Sequence, residues 1–111
     1  MPDSSSTLAI EQYSVVLIRR GQPLPQRLDG TGNHASVELP LDDIVAWAMQ
    51  HRAHEILLCH THPSGDPQPS HSDLMVTRRL CAKLRRRNMR MTDHLIIAHR
   101  RSFSFRAHGL L

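Results

Sequence analysis

The six-residue run Glu55-Ile-Leu-Leu-Cys-His60 is the feature that most constrains the fold of this chain. Its apolar residues occupy both faces of an extended segment, which is typical of a central strand in a sheet that is covered on both sides. Residues 63–71 follow it and are dense in Pro, Ser, Gly and Asp, so they predict a loop that ends the strand. A strand is therefore expected in the middle of a sheet, with His60 at its carboxyl end.

The segments around this strand predict two helices and further strands. Apolar residues at helical spacing indicate one helix from Pro40 to near Arg52 and a second from after Ser70 to about Arg87. Gly30 to Asn33 reads as a turn. The expected strands span residues 13–18, 24–30, 34–39, 92–99 and 102–106, the last of them at a sheet edge. This order predicts an α/β layered fold with a mixed sheet.

Length and composition favour a single small domain. At 111 residues the chain has room for one core, which we place in residues 10–111, with a flexible N-terminus over residues 1–9. No apolar run approaches the roughly 20 residues that span a bilayer. The first ten residues lack the features of a signal peptide, so we expect a cytoplasmic protein with no membrane partner. Cys59 and Cys81 are expected to be reduced.

Charge is distributed unevenly along the chain. Residues 1–73 hold 4 basic and 9 acidic side chains, whereas residues 74–111 hold 10 basic and 1 acidic. Such a segment can contact nucleic acid or an acidic protein, although a solvated helix face is the more ordinary explanation. No aromatic residues are interleaved for base stacking. The basic side chains concerned are Arg78, Arg79, Lys83, Arg85, Arg86, Arg87 and Arg90.

A metal site is indicated where the central strand ends. His60 and His62 are two residues apart, so in extended backbone they point to the same face about 6.5 Å from one another. Asp73 falls in the first turn of the next helix, and the loop can bring that turn back over the histidines. Two imidazoles and one carboxylate leave a fourth position for water, as in catalytic zinc sites, where the ion lowers the pKa of that water toward about 7.

More ordinary explanations exist for each part of this pattern. The chain has nine histidines, so a His-x-His pair can arise by chance. Ser70 and Asp73 also fit an ordinary helix N-cap. His94, at the start of a predicted strand, is expected to be a packed or hydrogen-bonded core residue. The combination of a strand end, a Pro/Gly loop and a helix start favours the metal site, because sites collect at such strand ends.

A zinc hydrolase also needs a group that accepts a proton from the water. The candidate carboxylates are Glu11, Glu38 and Glu55. Glu55 lies five residues before His60, on the opposite face of the strand and roughly 17 Å away, which excludes it. Spacing alone does not choose between Glu11 and Glu38.

At these residues the chain resembles the JAMM metalloprotease pattern, which is a Glu, then His-x-His, seven residues, and Ser-x-x-Asp. The segment His60-Thr-His-Pro-Ser-Gly-Asp-Pro-Gln-Pro-Ser70 is similar to the signature of the RadC branch of the JAB/MPN superfamily. Thr61 departs from the Asn that is usual there and matches the Ser/Thr of deubiquitinating JAMM enzymes. Asp29-Gly-Thr31, Thr92-Asp-His-Leu-Ile96 and Ser102-Phe-Ser104 also resemble RadC segments, so the resemblance covers roughly residues 10–111.

The resemblance implies a role for each residue of the pattern. Glu11 would be the general base, and Ser70 would donate a hydrogen bond to the developing oxyanion. One Zn²⁺ per chain would be held by His60, His62 and Asp73, although this ligand set also suits other metals. The implied fold is the three-layer JAB/MPN (cytidine-deaminase-like) α/β fold, a mixed β-sheet flanked by helices.

The leading hypothesis is a zinc-dependent metallopeptidase that cleaves a peptide or isopeptide bond, with a peptide or protein substrate that includes conjugates of ubiquitin-like modifiers. The alternative is a RadC-like, DNA-associated binding module in which the metal is not catalytic and the basic segment contacts phosphates. The family also carries an association with DNA repair. A third hypothesis for the function is a scaffold that binds partners and catalyses nothing. For the oligomeric state, a homodimer is one hypothesis.

Overall fold

The computed structural model describes residues 10–33 and 39–111. Within these residues the chain forms five strands and two helices. The strands are β1 (Ile10–Arg19), β2 (Gln22–Asn33), β3 (Glu55–Thr61), β4 (Arg90–Ala98) and β5 (Arg101–Ser104). The helices are α1 (Leu41–Gln50) and α2 (His71–Arg85).

The five strands form one mixed sheet in the order β2-β1-β3-β4-β5. β3 and β4 are parallel, because α2 connects them, and every other neighbouring pair is antiparallel. β3 is therefore the central strand, and β5 lies at an edge. The predicted α/β fold with a mixed sheet and flanking helices is confirmed.

Both helices pack on the same face of this sheet. Alternate residues of β1 and β3 point to that face and are almost fully buried, in contact with the apolar stripes of the two helices. An ion pair between Lys83 Nζ and Asp42 Oδ1, 2.7 Å apart, links α2 to α1 at the surface. The core on this side contains Val15, Leu17, Ile44, Val45, Ala48, Ile56, Leu58, Leu80 and Leu84.

The main departure from the sequence prediction concerns Gly30 to Asn33. We predict a turn there, whereas these residues continue β2 and pair with Ile10 to Tyr13 of β1. The turn prediction is therefore wrong, and cross-strand packing explains why. The ring of Tyr13 lies against Gly30, where a Cβ atom would be 2.3 Å from Tyr13 Cζ. Glycine here makes room for an aromatic side chain rather than bending the chain.

Two other predictions lie mostly outside the described residues. These are the short strand at 34–39, of which only Leu39 is described, and the flexible segment 1–9. Neither helix of the described residues is long and apolar enough to cross a membrane. The cytoplasmic location and the division into 1–9 and 10–111 stay predictions.

The topology brings three chain segments together at one end of the sheet. β3 ends at Thr61, β1 begins at Ile10 beside it, and α2 begins at His71 after the loop. In open α/β sheets the carboxyl ends of the strands are where ligands bind. The residues of the predicted site lie at this end.

Candidate metal centre

Four side chains that can ligate a metal meet at the carboxyl end of β3. One ligand atom from each of them can be chosen so that all four lie within 4.8 Å of one another. Three of the four residues are buried and the fourth is half-buried. They come from β1, from the end of β3 and from the first turn of α2, and they are Glu11, His60, His62 and Asp73.

The antiparallel pairing of β1 with β3 positions Glu11. Tyr13 is the partner of His60 in this register, so Glu11, two residues earlier on the same face of β1, lies next to the end of β3. Its Oε1 atom contacts His60 Nε2. Both residues are buried, with 7% and 3% exposure, so this contact lies out of bulk water.

The loop after β3 orients His62. Its Nδ1 atom is 2.9 Å from the carbonyl oxygen of Asp66, and because a carbonyl only accepts, Nδ1 is the protonated nitrogen. The other nitrogen, Nε2, lies 3.0 Å from Asp73 Oδ2. Fixing one ring nitrogen by a backbone carbonyl is the usual way in which proteins direct the second nitrogen to a metal.

Asp73 is held by the start of α2. Its backbone N–H donates to Ser70 Oγ at 3.0 Å, and its Oδ2 accepts from the Ser70 backbone N–H at 2.9 Å. This reciprocal pair is a capping box, so the ordinary explanation for Ser70 and Asp73 is correct as a description of the helix start. The cap also fixes the Asp73 carboxylate beside His62, so Asp73 is both a capping residue and a candidate metal ligand.

The donor set fits a divalent metal ion. His60 Nδ1 is buried and has no hydrogen-bond partner in the described part of the chain, and it lies 3.4 Å from Asp73 Oδ1. When His60 Nε2 donates to Glu11, both of these atoms are acceptors, and a cation satisfies them together. Ligands around tetrahedral zinc are separated by about 3.4 Å, given bonds of about 2.0–2.1 Å.

Charge balance supports the same conclusion. Glu11 and Asp73 are 7% and 5% exposed, and no Lys or Arg forms an ion pair with either of them in the described residues. Burying a carboxylate is costly unless a cation or several donors compensate it. A bound metal ion takes imidazole in its neutral form, so in the loaded site one ion of charge +2 would balance the two carboxylates.

His94 lies beside this cluster and belongs to the core, as expected. It is 1% exposed, its Nδ1 is 2.6 Å from Thr77 Oγ1, and its ring stacks on Phe105 with centroids 4.2 Å apart. The centroid of His60 is 5.8 Å away. Burial, with a smaller contribution from His60, lowers the pKa of His94 to about 4.

This pKa makes stability depend on pH. The unfolded chain protonates His94 as the pH falls through about 6.5, whereas the folded protein resists protonation down to about 4, so the free energy of unfolding falls over that range. The contribution is about 3 kcal/mol at most. In urea unfolding with EDTA present, His94→Phe should lose most of this pH dependence, and the exposed-site variant His54→Gln should keep it. An unchanged pH dependence in His94→Phe would refute the assignment.

The other candidate residues lie elsewhere. Glu55 begins β3 and bonds to Thr92 and Arg90 at the opposite end of the sheet, in agreement with its exclusion. Glu38 is outside the described residues. In the basic segment Lys83 pairs with Asp42 and is half-buried, and the six arginines are exposed. None of that segment's residues belongs to the cluster.

Two features of the site were missed by the sequence analysis. The first is the Asp66 carbonyl, which carries no side-chain signal. The second is Gly65. Its φ of +87° favours glycine, and a Cβ atom at this position would lie 2.5 Å from the ring of His99. The turn residues His62-Pro-Ser-Gly65 were the only available hint of this tight loop.

An α/β sheet with a His-x-His pair at a strand end and an acid in the next helix defines the class of this domain. The model of the RadC-like JAB domain family matches residues 6–110, and the chain belongs to that family.

Curated relatives agree with the match. The chain is 38% identical over 107 residues to UPF0758 protein YkfG of Escherichia coli, covering 96% of this chain and 68% of YkfG. It is 34% identical over 105 residues to UPF0758 protein STH371 of Symbiobacterium thermophilum, covering 94% and 45%. It is 40% identical over 80 residues to UPF0758 protein YfjY of E. coli, covering 72% and 50%. The chain thus spans about half the length of several relatives that it matches.

Proposed function

We propose that this domain is a zinc-dependent metallopeptidase that hydrolyses a peptide or isopeptide bond. The observation that carries the proposal is the buried carboxylate of Glu11 in contact with His60, inside a group of four potential metal ligands. A structural metal site needs only closed coordination. Hydrolysis requires in addition a fourth group beside the three ligands, here the carboxylate of Glu11, because one group must accept the proton of the attacking water.

We assign metal binding and proton transfer to different side chains of the group. His60, His62 and Asp73 would hold the ion, which, when bound, would act as a Lewis acid toward the carbonyl and lower the pKa of a water. The carboxylate of Glu11 would accept the proton of the attacking water and pass it to the leaving amine. Its burial between β1 and β3 keeps the carboxylate in place and away from competing solvent.

Ser70 is suited to stabilise the oxyanion. Its hydroxyl accepts from the Asp73 N–H in the capping box, and a hydroxyl that accepts still has its own proton to donate. The residue is exposed at the start of α2, three residues before Asp73. An oxyanion donor of this kind contributes about 3–4 kcal/mol to transition-state binding in hydrolases.

The substrate class follows from this chemistry. The group that reacts is an amide carbonyl, which backbone peptide bonds and lysine isopeptide bonds share. Conjugates of ubiquitin-like modifiers, which the family resemblance implies, are one source of the isopeptide bond.

Cleavage of a defined peptide library tests the proposal. The protein is stripped with a chelator, reloaded with about one equivalent of Zn²⁺ per chain, and incubated with linear peptides and with peptides branched through a lysine isopeptide bond. We expect new termini, detected by mass spectrometry, in the reloaded sample and not in the stripped sample. New termini that persist after stripping, or none after reloading, would contradict the proposal.

A further inference from the structure

Arginines collect at the end of the sheet opposite the metal centre. Three chain segments meet there: the β1–β2 turn, the connection from α1 to β3, and the connection from α2 to β4. We call this surface the basic pole. It consists of the exposed residues Arg19, Arg20, Arg52, Arg85, Arg86, Arg87 and Arg90.

Hydrogen bonds that involve the backbone hold the three segments side by side. The Arg20 N–H donates to His54 Nδ1 at 3.4 Å, and Arg19 Nη1 donates to the His51 carbonyl at 3.4 Å. The Arg90 N–H donates to the His54 carbonyl at 3.2 Å. The pole is therefore a built surface, and the length of β3 separates it from the metal centre by about 20 Å.

The charge of the three segments is almost uncompensated within them, and Asp42, which lies near Arg86 and Arg87, already pairs with Lys83. The segments 19–22, 51–55 and 85–90 contain one acidic residue, Glu55, which bonds to Arg90 at 3.2 Å and to Thr92. Cations at helix C-termini do stabilise helices, and α1 and α2 both end here. That effect acts within the last turn, and the arginines of the β1–β2 turn lie outside both helices, so it does not account for the whole set.

We propose that the basic pole binds the phosphate backbone of double-stranded nucleic acid. All seven cations are arginine, whose planar guanidinium matches phosphate oxygens with two parallel hydrogen bonds. The three segments contain no Phe, Trp or Tyr. They therefore lack the aromatic anchors that are enriched in protein interfaces and the stacking platforms that bind single strands. Charge alone is sufficient for duplex backbone binding.

The consequence is a domain with two functional ends. Duplex binding at the pole is expected to leave the exposed surface around Ser70 accessible, because the two surfaces lie at opposite ends of β3. This proposal does not depend on peptidase activity, since it rests on residues that take no part in the metal centre.

Binding of a fluorescent DNA duplex of about 20 base pairs tests it. With about six phosphate contacts the affinity should fall roughly 10³-fold between 50 and 200 mM salt. Arg86→Gln/Arg87→Gln should weaken binding at 50 mM salt about tenfold or more and make the salt slope shallower by about 2. Arg86→Lys/Arg87→Lys keeps the charge and should retain most of the binding, which separates lost contacts from misfolding.

The matched control removes two arginines at the other end of the sheet. Arg100→Gln/Arg101→Gln changes the net charge equally and should alter affinity less than twofold. An equal loss in this variant, or no duplex binding by the wild type at 50 mM salt, would overturn the proposal. Polyglutamate and unlabelled DNA are also compared as competitors at equal concentrations of negative charge. If polyglutamate displaces the labelled duplex as well as DNA does, the proposal is overturned and the partner is an acidic protein.

Discussion

Glu11→Gln should abolish peptide cleavage while the protein keeps its metal. The amide has the size of the carboxylate and can still contact His60, but it does not accept a proton at neutral pH. Loss of a general base typically lowers rates by about 10²–10⁴, equivalent to about 3–5 kcal/mol of activation free energy. We expect kcat/KM to fall by that factor, with about one metal ion per chain retained, as measured by initial rates and elemental analysis.

A neighbouring residue provides the control for this prediction. Gln12 follows Glu11 on β1 and is exposed, with its side chain on the opposite face of the sheet. Gln12→Ala should keep wild-type rates and metal content. If Glu11→Gln cleaves at the wild-type rate, another residue is the base. If it loses metal together with activity, Glu11 is a ligand and the division of roles proposed for the four side chains is wrong.

His62→Ala should remove metal binding and the stability that depends on it. His62 Nε2 faces Asp73 at 3.0 Å while Nδ1 is held by the Asp66 carbonyl, so the ring is oriented to bind a metal through Nε2. Metal present at about 100 times its dissociation constant stabilises a folded protein by about 2.7 kcal/mol. For a domain of this size that is a rise in Tm of roughly 10 °C. We expect this rise in the wild type and none in His62→Ala.

His71→Ala is the matched control for the histidine variant. His71 is the exposed first residue of α2, two positions from Asp73, and it is outside the group of four. Thermal unfolding with and without added Zn²⁺, followed by elemental analysis after gel filtration, compares the three proteins. If Zn²⁺ raises the Tm of His62→Ala as much as that of the wild type, or does not raise the Tm of His71→Ala, the metal binds somewhere else.

Much of the candidate centre could be predicted because it is local in sequence. His60, His62 and Asp73 lie within one strand–loop–helix unit, and each piece has its own signal: an apolar strand, a Pro/Gly loop and a capping box. The geometry of a strand places two of these side chains on one face, and the helix start brings in the third. The positions of these three side chains can therefore be predicted without knowing how the rest of the chain folds.

The contribution of Glu11 could not be predicted from spacing. It lies 49 residues from His60, and its position depends on the register between β1 and β3. Physical reasoning left Glu11 and Glu38 open, and only the family resemblance chose Glu11. The turn predicted at Gly30 failed for a related reason, because the packing of Tyr13 against that glycine depends on cross-strand register and not on local turn chemistry.

A zinc-loaded crystal measured at the zinc absorption edge tests the metal assignment most directly. We expect one anomalous peak per chain between the end of β3 and the start of α2. It should lie about 2.0–2.2 Å from one nitrogen of each of His60 and His62 and from one oxygen of Asp73. A peak elsewhere, or an Asp73 carboxylate turned away from both imidazoles in the loaded protein, would contradict the assignment.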